Sequence, residues 1–325
     1  MTLLTLNETA DFLRERDGFL ILTHRAPDGD TLGSAAALCN ALRELGKSAD
    51  LLVNAQTTAM YLADVEQYFS NANPDACTLI AVDSANASLL QYEYGDVMKH
   101  APVALAIDHH PSHAEFADRT LLDPVKSSCG EIVLELIHAL NAPLSCESAK
   151  LLYIAVSTDT GCFRYKNTTE STLLAAAELI RAGAPNGALN HRLFMVKRMS
   201  RLRLEAMMLA TLELYIGGEL AVATITRGMM RESGADVYDL EDVATVAGSP
   251  EGVEMSVTLR EQQDGGTKVS VRTVNFGNAN ALCAYLGGGG HGMAAGATVE
   301  ADLATTKSRI LDAVNNVWKG DKYKL

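Results

Sequence analysis

The chain has 325 residues, of which 48% are hydrophobic and 6% aromatic, enough to bury a substantial core and better suited to two domains than to one. Its formal net charge of -13 argues against a general affinity for long duplex nucleic acid, because that binding depends on Lys and Arg neutralising many phosphates. No apolar stretch approaches the roughly 18 residues needed to span a bilayer, and no basic segment leads into a signal-type apolar run, so a soluble, cytoplasmic protein without a membrane partner is expected.

The first element in the chain is a short apolar strand at 19–23, followed directly by His24-Arg25-Ala26-Pro27-Asp28-Gly29-Asp30. Residues 31–45 read as an Ala- and Leu-rich helix stopped by Gly46, and Asp30 is well placed to cap it. Two further apolar runs, 77–82 and 103–107, are nearly continuous, the pattern of strands buried on both faces of a parallel sheet. The first ends at Asp83 and the second at Asp108-His109-His110. Residues 149–158 are more helical than extended, and that helix delivers Asp159 just before the breaker Gly161. In open α/β sheets the ligand crevice lies beyond the carboxyl ends of the strands, so residues distant in sequence converge there.

Each of these clusters has a bland reading taken alone, as a cap, a turn or a satisfied polar group. Their recurrence in order changes the balance, because a pair of divalent cations needs a full set of oxygen and imidazole ligands and one carboxylate able to bridge both ions. Six cysteines, Cys39, Cys77, Cys129, Cys146, Cys162 and Cys283, form no C-x-x-C pair and read as reduced thiols.

Helix and strand alternate to about residue 182, where Gly183-Ala184-Pro185-Asn186-Gly187 breaks the pattern. Residues 189–215 return to helical periodicity and carry Lys197, Arg198, Arg201 and Arg203, either as a solvated helix face or as substrate contacts. The expected layout is a parallel-sheet α/β domain over 1–185, a helical connector over 186–214 and a smaller α/β domain over 215–325. In the last, strands are expected at 220–226, 252–261 and 267–275, the final two joined by an Asp264-Gly265-Gly266 hairpin turn. The later glycine run formally contains G-x-G-x-x-G. A helix rather than a strand precedes it and no acidic ribose partner follows, so a dinucleotide site is rejected; no Gly-Lys-Ser/Thr makes a P-loop.

The set His24, Asp28, Asp30, Asp83, Asp108-His109-His110 and Asp159 resembles the four motifs of the DHH phosphoesterase superfamily, and Gly287-Gly288-Gly289-Gly290-His291 resembles the signature of its associated C-terminal domain. The resemblance covers nearly the whole chain, and the layout looks most like bifunctional oligoribonucleases that are also 3′-phosphoadenosine-5′-phosphate phosphatases. It implies one metal held by His24, Asp28 and Asp83 and a second held by Asp30, Asp83, His109 and Asp159, with Asp83 bridging. It further implies that Asp108 orients His109 and that His110 faces the substrate phosphate and protonates the leaving oxygen. Arg272 and His291, with Gly288, Gly289 and Gly290, match the substrate-binding residues. The implied cofactors are two divalent ions, Mn²⁺ in preference to Mg²⁺. The implied partners are short RNA oligonucleotides, dinucleotides or phosphorylated nucleotides, with a homodimer open. Inorganic pyrophosphatase or exopolyphosphatase activity, or a non-catalytic nucleotide sensor, are the alternatives.

Overall fold

The computed structural model describes residues 2–91, 104–240, 243–275, 277–290 and 292–321, and the chain divides into two compact units, Met1–Val196 and Lys197–Leu325. The first unit is built on a seven-stranded sheet. Its strands are β1 (Thr2–Leu3), β2 (Phe19–Leu22), β3 (Ala49–Leu52), β4 (Phe69–Ser70), β5 (Thr78–Val82), β6 (Ala104–Asp108) and β7 (Arg119–Leu122). They lie in the order β1-β7-β6-β5-β2-β3-β4, and every pairing is parallel. The apolar runs read from the sequence are the three central strands β2, β5 and β6, covered on both faces, which is why they show no polar alternation. The short outer strands β1, β3, β4 and β7, of which β1 and β4 are the edges, carry too little apolar pattern to be legible.

The helices Gly29–Glu44, Cys129–Leu140 and Cys146–Asp159 pack together on one face of this sheet. Small residues allow their close approach. A Cβ on Gly33 would lie 2.4 Å from the Leu151 carbonyl oxygen, and one on Gly130 would lie 2.7 Å from the Ala155 Cβ. Leu32, Leu38 and Leu42 are fully buried in the core of this unit, where truncation to Ala costs about 2–5 kcal/mol each. The helix Gly29–Glu44 is capped by Asp28 rather than by Asp30: Asp28 Oδ1 accepts the backbone N–H groups of Asp30 and Thr31 at 3.0 and 3.1 Å. The Asp30 side chain is thereby left for other work.

The second unit contains a six-stranded sheet made of β8 (Glu213–Tyr215), β9 (Leu220–Ile225), β10 (Met255–Glu261), β11 (Thr267–Thr273), β12 (Gly289–Gly290) and β13 (Ala294–Val299). The order is β12-β13-β11-β10-β9-β8; β9 and β10 are parallel and the other pairs antiparallel. The expected hairpin turn joins β10 to β11, with Gly265 at φ +86°. Val257, Leu259, Val269 and Val271 bury one face beneath the helices Ala279–Tyr285 and Leu303–Asp321. On the other face, Leu204 and Met208 of the helix Met199–Leu209 cover Ala223 and Ile225 of β9.

The region read as one helical stretch, 189–215, comprises the end of the helix Asn186–Asn190, a π-turn at His191–Met195, the helix Met199–Leu209 and the strand β8. Of the four bases singled out there, Arg203 is exposed and the other three are engaged in ion pairs. Lys197 and Arg201 both meet Glu205, and Arg198 meets Asp236 and Asp239. No helix among the described residues is long and apolar enough to cross a membrane.

Candidate metal centre

Strands β2, β5 and β6 are neighbours in register, so their carboxyl ends bring His24, Asp83 and Asp108-His109-His110 to one edge of the sheet. Asp83 turns sharply there. Its φ is +59°, a conformation that Asp tolerates better than most residues, and its N–H remains bonded to the Ile107 carbonyl at 2.9 Å. The helix Cys146–Asp159 adds Asp159 at its last residue. Asp30, in the first turn of Gly29–Glu44, points at the amino end of the helix Cys129–Leu140, where Oδ2 accepts the N–H of Cys129 at 2.8 Å and Oδ1 that of Gly130 at 3.0 Å.

The two oxygens of Asp83 face different partners. Oδ2 lies 3.8 Å from His24 Nε2, which is itself 3.6 Å from Asp28 Oδ1. Oδ1 lies 3.5 Å from His109 Nε2 and 3.6 Å from His110 Nδ1. His109 Nε2 also stands 3.8 Å from Asp30 Oδ2 and 3.8 Å from Asp159 Oδ2. Donor atoms sharing one ion through bonds of about 2.0–2.3 Å stand about 3–4 Å apart, so these separations suit a common cation better than direct hydrogen bonds. The groups His24/Asp28/Asp83, Asp30/His109/Asp159 and Asp83/His109/His110 each place their ligand atoms within 4.8 Å of one another. The structure thus brings together all six residues expected from the sequence as metal ligands. The donor set, carboxylates with imidazoles, fits a divalent ion of the Mn²⁺ or Mg²⁺ kind.

Electrostatics give the same picture from the protonation side. Burial, then the charges of Asp83 and Asp159, pushes Asp30 well above the usual carboxylate range. Burial and the neighbouring Asp83 and Asp28 charges raise Asp159 to about 7. For His109 burial works against the imidazolium, yet the hydrogen bond and charge of Asp83 and the charges of Asp30 and Asp159 outweigh it and raise the ring to about 10. A cluster so rich in negative charge holds protons until cations replace them.

The support around these residues departs from the expected roles at one point. Asp108 does not orient the His109 ring. It accepts the His110 Nδ1–H on Oδ1 at 2.8 Å and the backbone N–H of His109 at 2.9 Å, while the His109 Nδ1–H faces the Lys126 carbonyl at 3.2 Å. That contact leaves His109 Nε2 as the ring's lone-pair nitrogen. Burial opposes ionisation of Asp108, but the hydrogen bonds from His110 and His113 hold it well below the usual range.

Four contributors escaped the sequence reading. His113 Nδ1 lies 2.6 Å from Asp108 Oδ2, and Asn167 Nδ2 donates to the Asp159 carbonyl at 3.1 Å. The Lys126 carbonyl is a backbone group with no residue signature. The Cys129 thiol, which burial pushes well up and so keeps neutral, lies 3.7 Å from Asp83 Oδ1.

In the second unit, Arg272 is half-buried on β11, on the face opposite Val269 and Val271, with its guanidinium hydrogen-bonded to the carbonyl of Val271. The glycines have a packing role that the sequence did not suggest. A Cβ on Gly288 would lie 2.3 Å from the Gly296 carbonyl oxygen, and one on Gly290 would lie 2.6 Å from Ala295 Cα, so these two positions press against β13. Gly289 is exposed, and the Gly290 N–H is taken by Asn280 Oδ1 at 2.9 Å. His291 lies outside the described residues.

Comparison with known proteins agrees with this layout. Residues 18–156 match the DHH family N-terminal domain, and residues 217–320 match the DHHA1 domain. The chain is 34% identical over 312 residues to a bifunctional oligoribonuclease and PAP phosphatase NrnA of Thermus thermophilus, covering 94% of this chain and 92% of that protein. It is 26% identical over 294 residues to the Bacillus subtilis protein of the same name, covering 87% and 90%. A crystal structure of an exopolyphosphatase-related protein from Bacteroides fragilis shares the fold, with a TM-score of 0.86 at 24% identity over 96% of this chain and 95% of that one.

Proposed function

This chain belongs to the DHH phosphoesterase family, and we propose that it hydrolyses short oligoribonucleotides and dinucleotides to mononucleotides, and 3′-phosphoadenosine-5′-phosphate to AMP, in the cytoplasm. The observation that carries the reading is the division of Asp83, one oxygen toward His24 and the other toward His109 and His110. In this reading His24, Asp28 and Asp83 hold one ion and Asp30, Asp83, His109 and Asp159 the other, manganese in preference to magnesium. When bound, two such ions supply Lewis acidity and bring the pKa of water from 15.7 toward about 7.

The residues of the chain supply the rest. Asp108 takes the His110 Nδ1–H, which leaves Nε2 to exchange a proton with the leaving oxygen. Residues 1–185 carry the chemistry, 186–214 connect, and 215–325 recognise the nucleotide, with Arg272 and His291 on a substrate phosphate and the Gly288–Gly290 backbone beside it. No covalent intermediate is required. The comparisons favour neither the pyrophosphatase or exopolyphosphatase reading nor the sensor.

The test is product release in manganese from short RNA, 3′-phosphoadenosine-5′-phosphate and pyrophosphate. Mononucleotides and AMP from the first two, with little phosphate from the third, support the reading. Turnover of pyrophosphate alone, or of none, overturns it.

A further inference from the structure

Along β11 the side chains alternate strictly: Thr267, Val269, Val271 and Thr273 are buried, and Lys268, Ser270 and Arg272 are half-buried on the opposite face, the one that the helix Met199–Leu209 covers over β9. The register places Arg260 of β10 directly opposite Lys268, and Ser256 opposite Arg272; on the far side Thr298, Gly296 and Ala294 of β13 face Lys268, Ser270 and Arg272. This face therefore carries three cations of a protein whose net charge is -13.

Like charges directly opposite in an antiparallel pair repel, so folding alone does not favour Arg260 across from Lys268. Elsewhere in this unit the connector bases find carboxylates, as Lys197, Arg198 and Arg201 do. Among the described residues no carboxylate pairs with Arg260, Lys268 or Arg272. Arg260 is half-buried, and burial alone acts on its guanidinium, pulling it below the ordinary value with no acidic neighbour to counter it. A half-desolvated cation beside a second cation is a site for an anion. Gly296, between the rows, adds no side chain; a Cβ there would meet the Lys268 ammonium at 3.6 Å, so Lys268 lies along bare backbone.

We propose that Arg260 and Lys268 form a second phosphate subsite, which takes a phosphate further along a short oligonucleotide than the one held at Arg272. The inference rests on the nucleotide reading of the previous subsection. Lys268 and Arg272 are four residues apart on the strand, about 14 Å between Cα atoms, so they meet different phosphates of one chain, with Ser270 and the Gly296 backbone between them. A dinucleotide reaches only the Arg272 end, and RNAs of three to five nucleotides engage both. Substrate length is thus sensed on the sheet.

The test is anisotropy of a fluorescein-labelled five-nucleotide RNA on the full-length protein in EDTA, so that binding is read without hydrolysis. Single-stranded binding loses about 0.7 in the slope of log K against log salt for each phosphate contact removed. Lys268→Gln and Arg260→Gln should each lower the slope by about that amount and weaken binding about tenfold, while Lys268→Arg restores both. The ratio of dissociation constants, five-nucleotide RNA over dinucleotide, should rise about tenfold in each Gln variant. An unchanged slope, or equal weakening of the dinucleotide, overturns the subsite. A parent protein that binds the RNA with the expected slope yet releases no mononucleotide in manganese overturns the functional reading and leaves the subsite standing; one that binds no RNA in EDTA yet releases mononucleotides in manganese overturns the subsite alone.

Discussion

His113 Nδ1 lies 2.6 Å from Asp108 Oδ2, inside a fully buried pair whose other carboxylate oxygen receives the His110 Nδ1–H at 2.8 Å. His113 thereby fixes the carboxylate that fixes His110, although it sits outside every motif read from the sequence. His113→Ala should lower kcat by about 10- to 150-fold, the worth of one hydrogen bond to a charged group, with little change in KM. His113→Asn, which keeps an N–H near Nδ1, should recover most of the loss. Equal activity of the Ala variant and the parent, measured by mononucleotide release, would remove His113 from the chain of contacts.

Asp83 faces both halves of the ligand cluster, so its loss should be felt by both ions. Asp83→Asn keeps a residue that tolerates φ +59° and so keeps the turn at the end of β5. It should nonetheless cost several kcal/mol of transition-state stabilisation and reduce the manganese stoichiometry measured by calorimetry. Normal binding of two ions with more than about a tenth of the turnover would contradict the bridging assignment.

In the metal-free protein His109 is raised to about 10 and Asp159 to about 7, so at pH 7 the first is protonated and the second about half so. Both must lose their protons to act as ligands, and metal affinity therefore rises with pH. Titration of manganese into the metal-free protein at pH 7, in buffers of different ionisation enthalpy, should report release of more than one proton, with tighter binding at pH 8 than at pH 6. Affinity flat across that range would mean that neither group is a ligand.

The central strands and the ligands at their ends were legible because a strand covered on both faces is an unbroken apolar run, and His24, Asp83 and Asp108 follow such runs directly. The supporting contacts were not. Asp30 looked like a helix cap because Asp28 and Asp30 stand equally close to the helix start in sequence, and only the Asp28 geometry decides between them. The Lys126 carbonyl that holds His109 has no side-chain signature, and His113 is a lone histidine in a loop. In the second unit, β8 was read as helix because three residues are too few to show a period of two, and the pairing of Gly289–Gly290 with β13 was not legible because two glycines carry no side-chain pattern.

Arg272 tests whether recognition and chemistry are separable. Its side chain is half-buried on β11, and among the described residues its guanidinium hydrogen-bonds to the Val271 carbonyl and to no carboxylate, which leaves its charge for a substrate phosphate. A charge-assisted contact of that kind is worth about 1.5–3 kcal/mol, so Arg272→Ala should lower kcat/KM on 3′-phosphoadenosine-5′-phosphate and dinucleotides by about 10- to 150-fold. Manganese binding should be untouched, since none of the proposed metal ligands lies in the second unit. Bis-p-nitrophenyl phosphate, an activated ester with no nucleotide body to be gripped, should be hydrolysed at close to the parent rate. Equal losses on nucleotide and activated ester would show that Arg272 acts through the fold or the metal site, and its assignment to substrate binding would have to be given up.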